Sequence, residues 1–190
     1  MCKLRATEAV LAAAHCGAVD GVVLRLFNAI GPGMPAVSLA GSAVAPLAAG
    51  TRARGDGARV ALGDPPVSLT FAGLRGARDY VDARDVARAV DRAAAAAPAG
   101  ALVNIGRGVA VPARLLVETL VVAAGVPASI VDGSTVDIPD GRAARSRGVD
   151  WQQADISRAR ALLGWVPRWG LADSLRDTFA AARRPHEIPW

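Results

Sequence analysis

The chain has 190 residues, enough for one sizeable hydrophobic core and too few for two full domains. With 52% hydrophobic and 21% charged residues it can offset the entropy of folding by apolar burial, which excludes a disordered chain. The net charge of +5 and the pI near 10.5 raise a nucleic-acid reading, but the arginines recur singly, with Asp or Glu within a helical turn. That dispersion excludes a nucleic-acid footprint in favour of a solvated face, and the positive excess still suits an anionic small molecule. Lys3 is the only lysine, and the dominance of Ala, Gly, Val and Arg matches the coding bias of a GC-rich bacterial source.

In chain order, Lys3 to Cys16 carries helix formers throughout, with Leu4, Val10 and Leu11 near one stripe and Gly17 as the stop. Gly21 to Phe27 is a β-branched run of the kind buried in a parallel sheet, and Asn28 to Gly33 follows as a loop forced by Gly and Pro. A helix is predicted from Ser38 to Ala49, ended by Gly50, then a short strand from Arg59 to Leu62 and an irregular segment from Pro65 to Gly76. A brief extended piece at Tyr80 and Val81 leads into a helix over Ala83 to Ala97, capped by Asp82, with Asp85 in the first turn where it suits the dipole.

Leu102 to Ile105 reads as a strand, Pro112 opens a helix to Ala124 that Gly125 stops, and Ser129 to Val131 reads as another strand. Asp132 to Asp150, rich in Gly, Asp and Arg, reads as a mobile surface loop. A helix follows Asp155 and Ser157, Gly164 to Pro167 breaks it, and a last helix spans Leu171 to Arg183 before a frayed tail from Pro185. The alternation of strands and helices predicts an α/β fold, with some helices segregated at the C-terminal end.

Cys2 and Cys16 end one predicted helix, about 21 Å apart at 1.5 Å per residue, beyond disulfide reach. No cationic and apolar signal opens the chain, and the longest apolar stretch, Leu115 to Val126, is broken by Glu118 and too short to span a bilayer. A soluble cytoplasmic protein without a membrane partner is therefore expected. His15 and His186 have no partners at metal-ligand spacing, so no metal is expected.

Four stretches, VVLRLFNAIGPG, GARDYVDARDVARAV, VNIGRG and DISRARALLGWVP, occur in an order and spacing that resembles the extended short-chain dehydrogenase/reductase family, which holds NAD-dependent nucleotide-sugar epimerases, dehydratases and reductases. The similarity runs from Lys3 to about Thr178. It implies the C-terminal portion of a Rossmann-type fold with a small mixed α/β substrate-binding region. Residues 1–33 would be the remnant of the Rossmann half, residues 34–184 the substrate-binding region and residues 185–190 a tail.

Lys3 matches the family's catalytic lysine, which the resemblance implies lowers the pKa of a tyrosine and bonds the nicotinamide ribose, a catalytic and cofactor-binding role; the alternative is a solvated lysine in a first helical turn. That tyrosine would have to precede Met1, and Tyr80 belongs to a different motif. No G-x-G-x-x-G pattern is present, and Gly106-Arg107-Gly108 reads as a tight turn. The resemblance thus implies NAD or NADP as cofactor, with its binding depending on a dinucleotide-binding half outside this chain.

By resemblance, Asn28 and Arg78 contact the diphosphate of a nucleotide-diphosphate sugar, an amide and a guanidinium fork both suiting phosphate oxygens. The competing readings are loop capping for Asn28 and an ion pair with Asp79 or Asp82 for Arg78. Arg145, ten residues before Asp155, matches a second phosphate-contacting arginine, although the usual Pro-Gly-Asp is missing and Arg147 is an alternative. Asp155 to Ser157, with Gly164 and Pro167, is read as a helix start and stop, and Trp165 and Trp169 as packing residues. The functions implied are hydride transfer on an NDP-hexose by an epimerase or 4-ketoreductase completed by the other half, or a non-catalytic truncated binding or oligomerisation module. An unpaired strand edge at Gly21 to Phe27 further predicts a homodimer or a separate N-terminal half as partner.

Overall fold

The computed structural model describes residues 2–55, 64–71, 73–133 and 150–184. The predicted strand Arg59 to Leu62, the tail from Pro185 and most of the loop predicted over Asp132 to Asp150 lie outside them. The elements in order are α1 (Cys2–His15), β1 (Val23–Leu26), β2 (Asn28–Ile30), α2 (Leu39–Arg54), β3 (Val67–Phe71), β4 (Ala77–Asp82) and α3 (Ala83–Ala96). They continue with β5 (Leu102–Ile105), β6 (Ala110–Pro112), α4 (Ala113–Ala124), β7 (Ala128–Asp132), α5 (Ser157–Leu163) and α6 (Leu171–Arg183).

Two compact units share this chain, and it passes between them within β2, β4 and β6. The first comprises Met1–Ala29, Asp79–Ala110 and Gln153–Trp169. Here β1 and β5 pair in parallel, with Val23 opposite Leu102 and Leu26 opposite Ile105. Val81, Val103, Ile105, Ala159, Leu163 and Trp165 are all buried in one cluster under this pair, which α3 and α5 cover. Among the described residues strand β1 pairs with β5 alone, and Leu26 stays 50% exposed. On α1, Leu4 and Val10 of the predicted stripe are also exposed while Ala14 is buried.

The second unit comprises Ile30–Arg78, Val111–Gln152 and Gly170–Trp190. Strands β3 and β7 are parallel, in register from Val67 with Ala128 to Phe71 with Asp132. Helices α2, α4 and α6 pack on one another, burying Ala43, Leu47, Leu116, Leu120, Leu175 and Phe179.

Several sequence expectations are corrected by the structure. Helix α2 does not stop at Gly50 but runs through Pro46 and Gly50 to Arg54, with Gly55 as its cap at φ 83°. A helical glycine costs about 1 kcal/mol, which the burial of Ala43, Val44, Leu47 and Ala48 on one face outweighs. Strand β3 lies in the segment expected to be irregular. The flanking Pro65, Pro66 and Gly73 obscured a period of two, in which Leu69 and Phe71 are buried and Ser68 and Thr70 exposed. The loop expected from Asn28 instead begins as the short strand β2, and Pro112 stands one residue before α4 rather than inside it.

Among the described residues no helix is long and apolar enough to cross a membrane, and no group of three or more His, Cys, Asp or Glu is placed to hold a metal ion.

Candidate functional site

Strand β4 is the centre of the polar architecture of the first unit. Its burial deepens along its length, and Asp79, in a run that ends Tyr80-Val81-Asp82, is fully buried. The Asp79 carboxylate accepts hydrogen bonds from three backbone N–H groups: Arg107 at 2.6 Å, Gly108 at 2.8 Å and Ala154 at 3.0 Å. Removing a carboxylate from water is expensive, and three charge-assisted bonds are what compensate it here. The Asp79 carbonyl accepts from the side-chain amide of Asn28 at 2.8 Å. One residue thereby holds the start of β2, the turn after β5 and the approach to α5. Gly106 is required by this closeness, since a Cβ there would meet the Ala154 Cβ at 2.5 Å and Asp79 Cγ at 3.1 Å.

The same bonds decide whether Gly106-Arg107-Gly108 can cradle a dinucleotide. The amides of Arg107 and Gly108 point at Asp79, and the Gly108 carbonyl accepts from Gln153 Nε2 at 2.7 Å. A pyrophosphate would have to displace a buried carboxylate to use these amides, so this turn does not fit an NAD(P) phosphate site. The tight-turn reading of this segment agrees with its geometry.

Asp85 is another buried carboxylate in this unit, in the first turn of α3 where its sequence reading has it. Rather than facing the open helix end, it accepts from the N–H groups of Arg168 at 2.9 Å and Trp169 at 3.0 Å and from Arg88 Nη1 at 2.7 Å. Its backbone carbonyl accepts from Trp165 Nε1 at 3.0 Å. Arg84 pairs with Asp82, the residue that caps α3, and its guanidinium lies 4.7 Å from the Trp169 ring centroid. These contacts fasten α3 to the segment after α5. Asp155 is exposed and accepts from the Ser157 N–H at 2.9 Å; hydrogen bonds from the Ser157 side chain and backbone hold its carboxyl below the ordinary value.

The sequence-predicted site residues divide between the units. Lys3 is exposed in the first turn of α1, where its carbonyl accepts from Thr7 Oγ1 at 3.0 Å. Asn28 belongs to the first unit and Arg78 to the second. The expected alternative for Arg78, an ion pair with Asp79 or Asp82, is not what forms: backbone amides saturate Asp79 and Arg84 pairs with Asp82. Arg78 Nη1 instead donates to the Ala77 carbonyl at 3.0 Å. Arg145 and its alternative Arg147 lie outside the described residues.

Within the second unit Arg78 is set by a close backbone approach. Gly76 has φ 83°, and a Cβ on it would meet the Asp150 carbonyl oxygen at 2.7 Å and Arg78 Nη1 at 3.2 Å. That carbonyl accepts from the Ala77 N–H at 2.9 Å, while Gln152 N–H donates to the Ala77 carbonyl at 2.9 Å. Gly76→Ala combines a disfavoured φ with a clash against backbone, and should cost about 2 kcal/mol in urea-induced unfolding. An unchanged urea midpoint would show that the approach is looser than drawn.

Comparison with known proteins gives the chain its context. It is 42% identical over 179 residues to dTDP-6-deoxy-L-talose 4-dehydrogenase (NAD(P)(+)) of Kitasatospora kifunensis, a match covering 94% of this chain and 51% of that protein. It is 34% identical over 101 residues to UDP-glucose 4-epimerase of Mycolicibacterium smegmatis, covering 53% of this chain and 29% of that protein. Among solved structures it resembles RMD from Pseudomonas aeruginosa complexed with NADPH, at 25% identity and a TM-score of 0.78 over 95% of this chain and 53% of that one. It also resembles MoeE5 in complex with UDP-glucuronic acid and NAD, at 26% identity and a TM-score of 0.67 over 95% of this chain and 54% of that one. The chain therefore spans about half the length of the dehydrogenase and of both solved structures. Its fold is the Rossmann-type α/β fold of extended short-chain dehydrogenases/reductases. The model of the NAD dependent epimerase/dehydratase family matches residues 1–106, more than half of the chain, and the protein belongs to that family.

Proposed function

We propose that this chain grips the nucleotide sugar for an NAD- or NADP-dependent enzyme that transfers hydride at C4 of an NDP-hexose, as a 4-ketoreductase or an epimerase. The 42% identity to a dTDP-sugar 4-dehydrogenase supports a dTDP-linked hexose over other nucleotide sugars. The observation that carries the reading is local: the Asn28 amide is bonded to the carbonyl of Asp79, and the residue covalently before Asp79 is Arg78, whose guanidinium has no carboxylate partner among the described residues.

In this proposal the Arg78 fork binds diphosphate oxygens with charge-assisted bonds, and Asn28 and Arg145 supply further donors. Holding the diphosphate fixes the sugar relative to the nicotinamide, which lowers the entropic part of the barrier. Bound NAD(P) supplies the hydride donor or acceptor. Lys3 would bond the nicotinamide ribose and lower the pKa of a phenol. The part proposed for these residues is to bind and orient the sugar. Residues 1–33 would then complete the Rossmann half and residues 34–184 the substrate region, in a cytoplasmic protein that acts with a second copy or with a separate dinucleotide-binding half.

Isothermal titration with dTDP-glucose, UDP-glucose and GDP-mannose tests the grip. Wild type should bind dTDP-glucose, and Arg78→Ala should weaken it by about 10- to 100-fold, the loss of a charged hydrogen-bonding partner. If none of the three sugars binds wild type, the proposal fails. Reduction of a dTDP-4-ketohexose with NADPH, once the rest of the fold is supplied, separates an enzyme from a binding module.

A further inference from the structure

Arg107 is not explained by the fold. Strands β1 and β5 are parallel with Leu26 opposite Ile105, and the Phe27 N–H donates to the Ile105 carbonyl at 3.0 Å. The residues that follow each strand, Asn28 and Gly106-Arg107-Gly108, therefore leave the pair at the same carboxyl end, where ligands of open α/β sheets bind. Both are tied to Asp79, Asn28 through the carbonyl and Arg107 through the carboxylate. The backbone of Arg107 is thus fixed on both sides by hydrogen bonds at Arg107 N and Gly108 O.

Its side chain is treated differently from those of its neighbours. Arg84 is paired with Asp82, and Arg88 with Asp85. Arg107 is half-buried, and its guanidinium makes no hydrogen bond or ion pair with any described residue. The adjacent Asp79 meets the backbone N–H of Arg107 and not its guanidinium. A partly desolvated cation on a rigid backbone, at the ligand-binding end of two parallel strands, is arranged for an anion that arrives from outside. On the nucleotide-sugar reading above, we infer that Arg107 is a further substrate-binding residue, contacting the diphosphate of the nucleotide sugar.

The test titrates the full chain with dTDP-glucose and dTDP, comparing wild type with Arg107→Gln and Arg107→Lys. Arg107→Gln should weaken both ligands by the same factor, about tenfold, since both carry the diphosphate. Arg107→Lys should recover part of the affinity by keeping the charge. Both variants should keep the urea midpoint of wild type, because Asp79 is bonded to the backbone of residue 107 rather than to its side chain. Wild-type binding that Arg107→Gln leaves unchanged overturns the inference while sparing the proposed function. So does a loss confined to dTDP-glucose, or a fall in urea midpoint with affinity intact, which would make Arg107 a sugar contact or a structural cation. Wild type that binds neither ligand removes the proposed function and this inference together.

Discussion

Replacing Asp79 with alanine should lower the free energy of unfolding by about 5 kcal/mol, the largest effect expected of any single substitution in the first unit. The carboxylate is fully buried and serves three N–H groups. Alanine leaves Arg107, Gly108 and Ala154 N–H without an acceptor, and each buried unsatisfied donor costs about 1–3 kcal/mol. Water entering the small space left behind would recover some of that, which sets the figure nearer the lower end of the sum. Asp79→Asn keeps one acceptor oxygen but turns two amide hydrogens toward backbone donors, so it should fall between wild type and alanine. Urea denaturation gives the size, and amide hydrogen exchange gives the location: protection should fall first at Arg107, Gly108 and Ala154. A loss under 1 kcal/mol for Asp79→Ala would mean that the three amides find water without penalty and that the carboxylate does not organise the turn.

The consequence for binding is separate from that for stability. The same residue presents its carbonyl to Asn28 and its carboxylate to Arg107 N–H. A loosened β4 would therefore misplace the Asn28 amide as well as the Arg107 backbone, and ligand affinity should fall even where the chain still folds. Asn28→Ala, by contrast, removes the part-buried bond to the Asp79 carbonyl and leaves the three amide bonds intact.

Which parts of this architecture can be read from sequence depends on how far apart the interacting residues lie. Caps and stops are local, and they were legible: Asp82 caps α3 through the Arg84 N–H, Gly125 and Gly164 close α4 and α5 in the left-handed conformation, and α6 spans Leu171–Arg183 as its pattern suggests. The extent of α2 was not legible, because tertiary burial of its Ala and Leu face overrides the stop signal of Gly50. Read from sequence, Asp79 is only a candidate partner for Arg78. The available signal is a carboxylate directly before Tyr80 and Val81 in an extended piece, which a buried strand tolerates only if the group is satisfied internally. What satisfies it lies 28, 29 and 75 residues away, beyond the reach of any periodicity. Asn28 and Arg78 were singled out through family motifs rather than through pattern, and Arg107 was passed over because the glycines on either side of it explained the turn.

Asp85 makes the same point in a form that a measurement can decide. Its place in the first turn of α3 suits the helix dipole, and an exposed carboxylate there contributes about 0.3–1 kcal/mol that salt screens. In the fold Asp85 is fully buried, with Arg168 N–H, Trp169 N–H and Arg88 as donors. Asp85→Ala leaves two backbone donors and one guanidinium, 23% exposed, without their acceptor, so the expected loss is about 4 kcal/mol. The bond from Trp165 Nε1 ends on the Asp85 backbone carbonyl and survives the substitution, so Trp165 should remain packed. Buried bonds are little screened, so the loss should be nearly the same at 0.1 M and 1 M salt, although the Debye length falls from about 10 Å to about 3 Å and would screen out a surface effect. Urea unfolding of wild type and Asp85→Ala at the two salt concentrations distinguishes the cases. A loss below about 1 kcal/mol that disappears in high salt would return Asp85 to the helix end, and the fastening of α3 to the segment after α5 would then have to rest on Trp165, the Arg84 contact with Trp169 and the bond from Arg88 to the Val166 carbonyl.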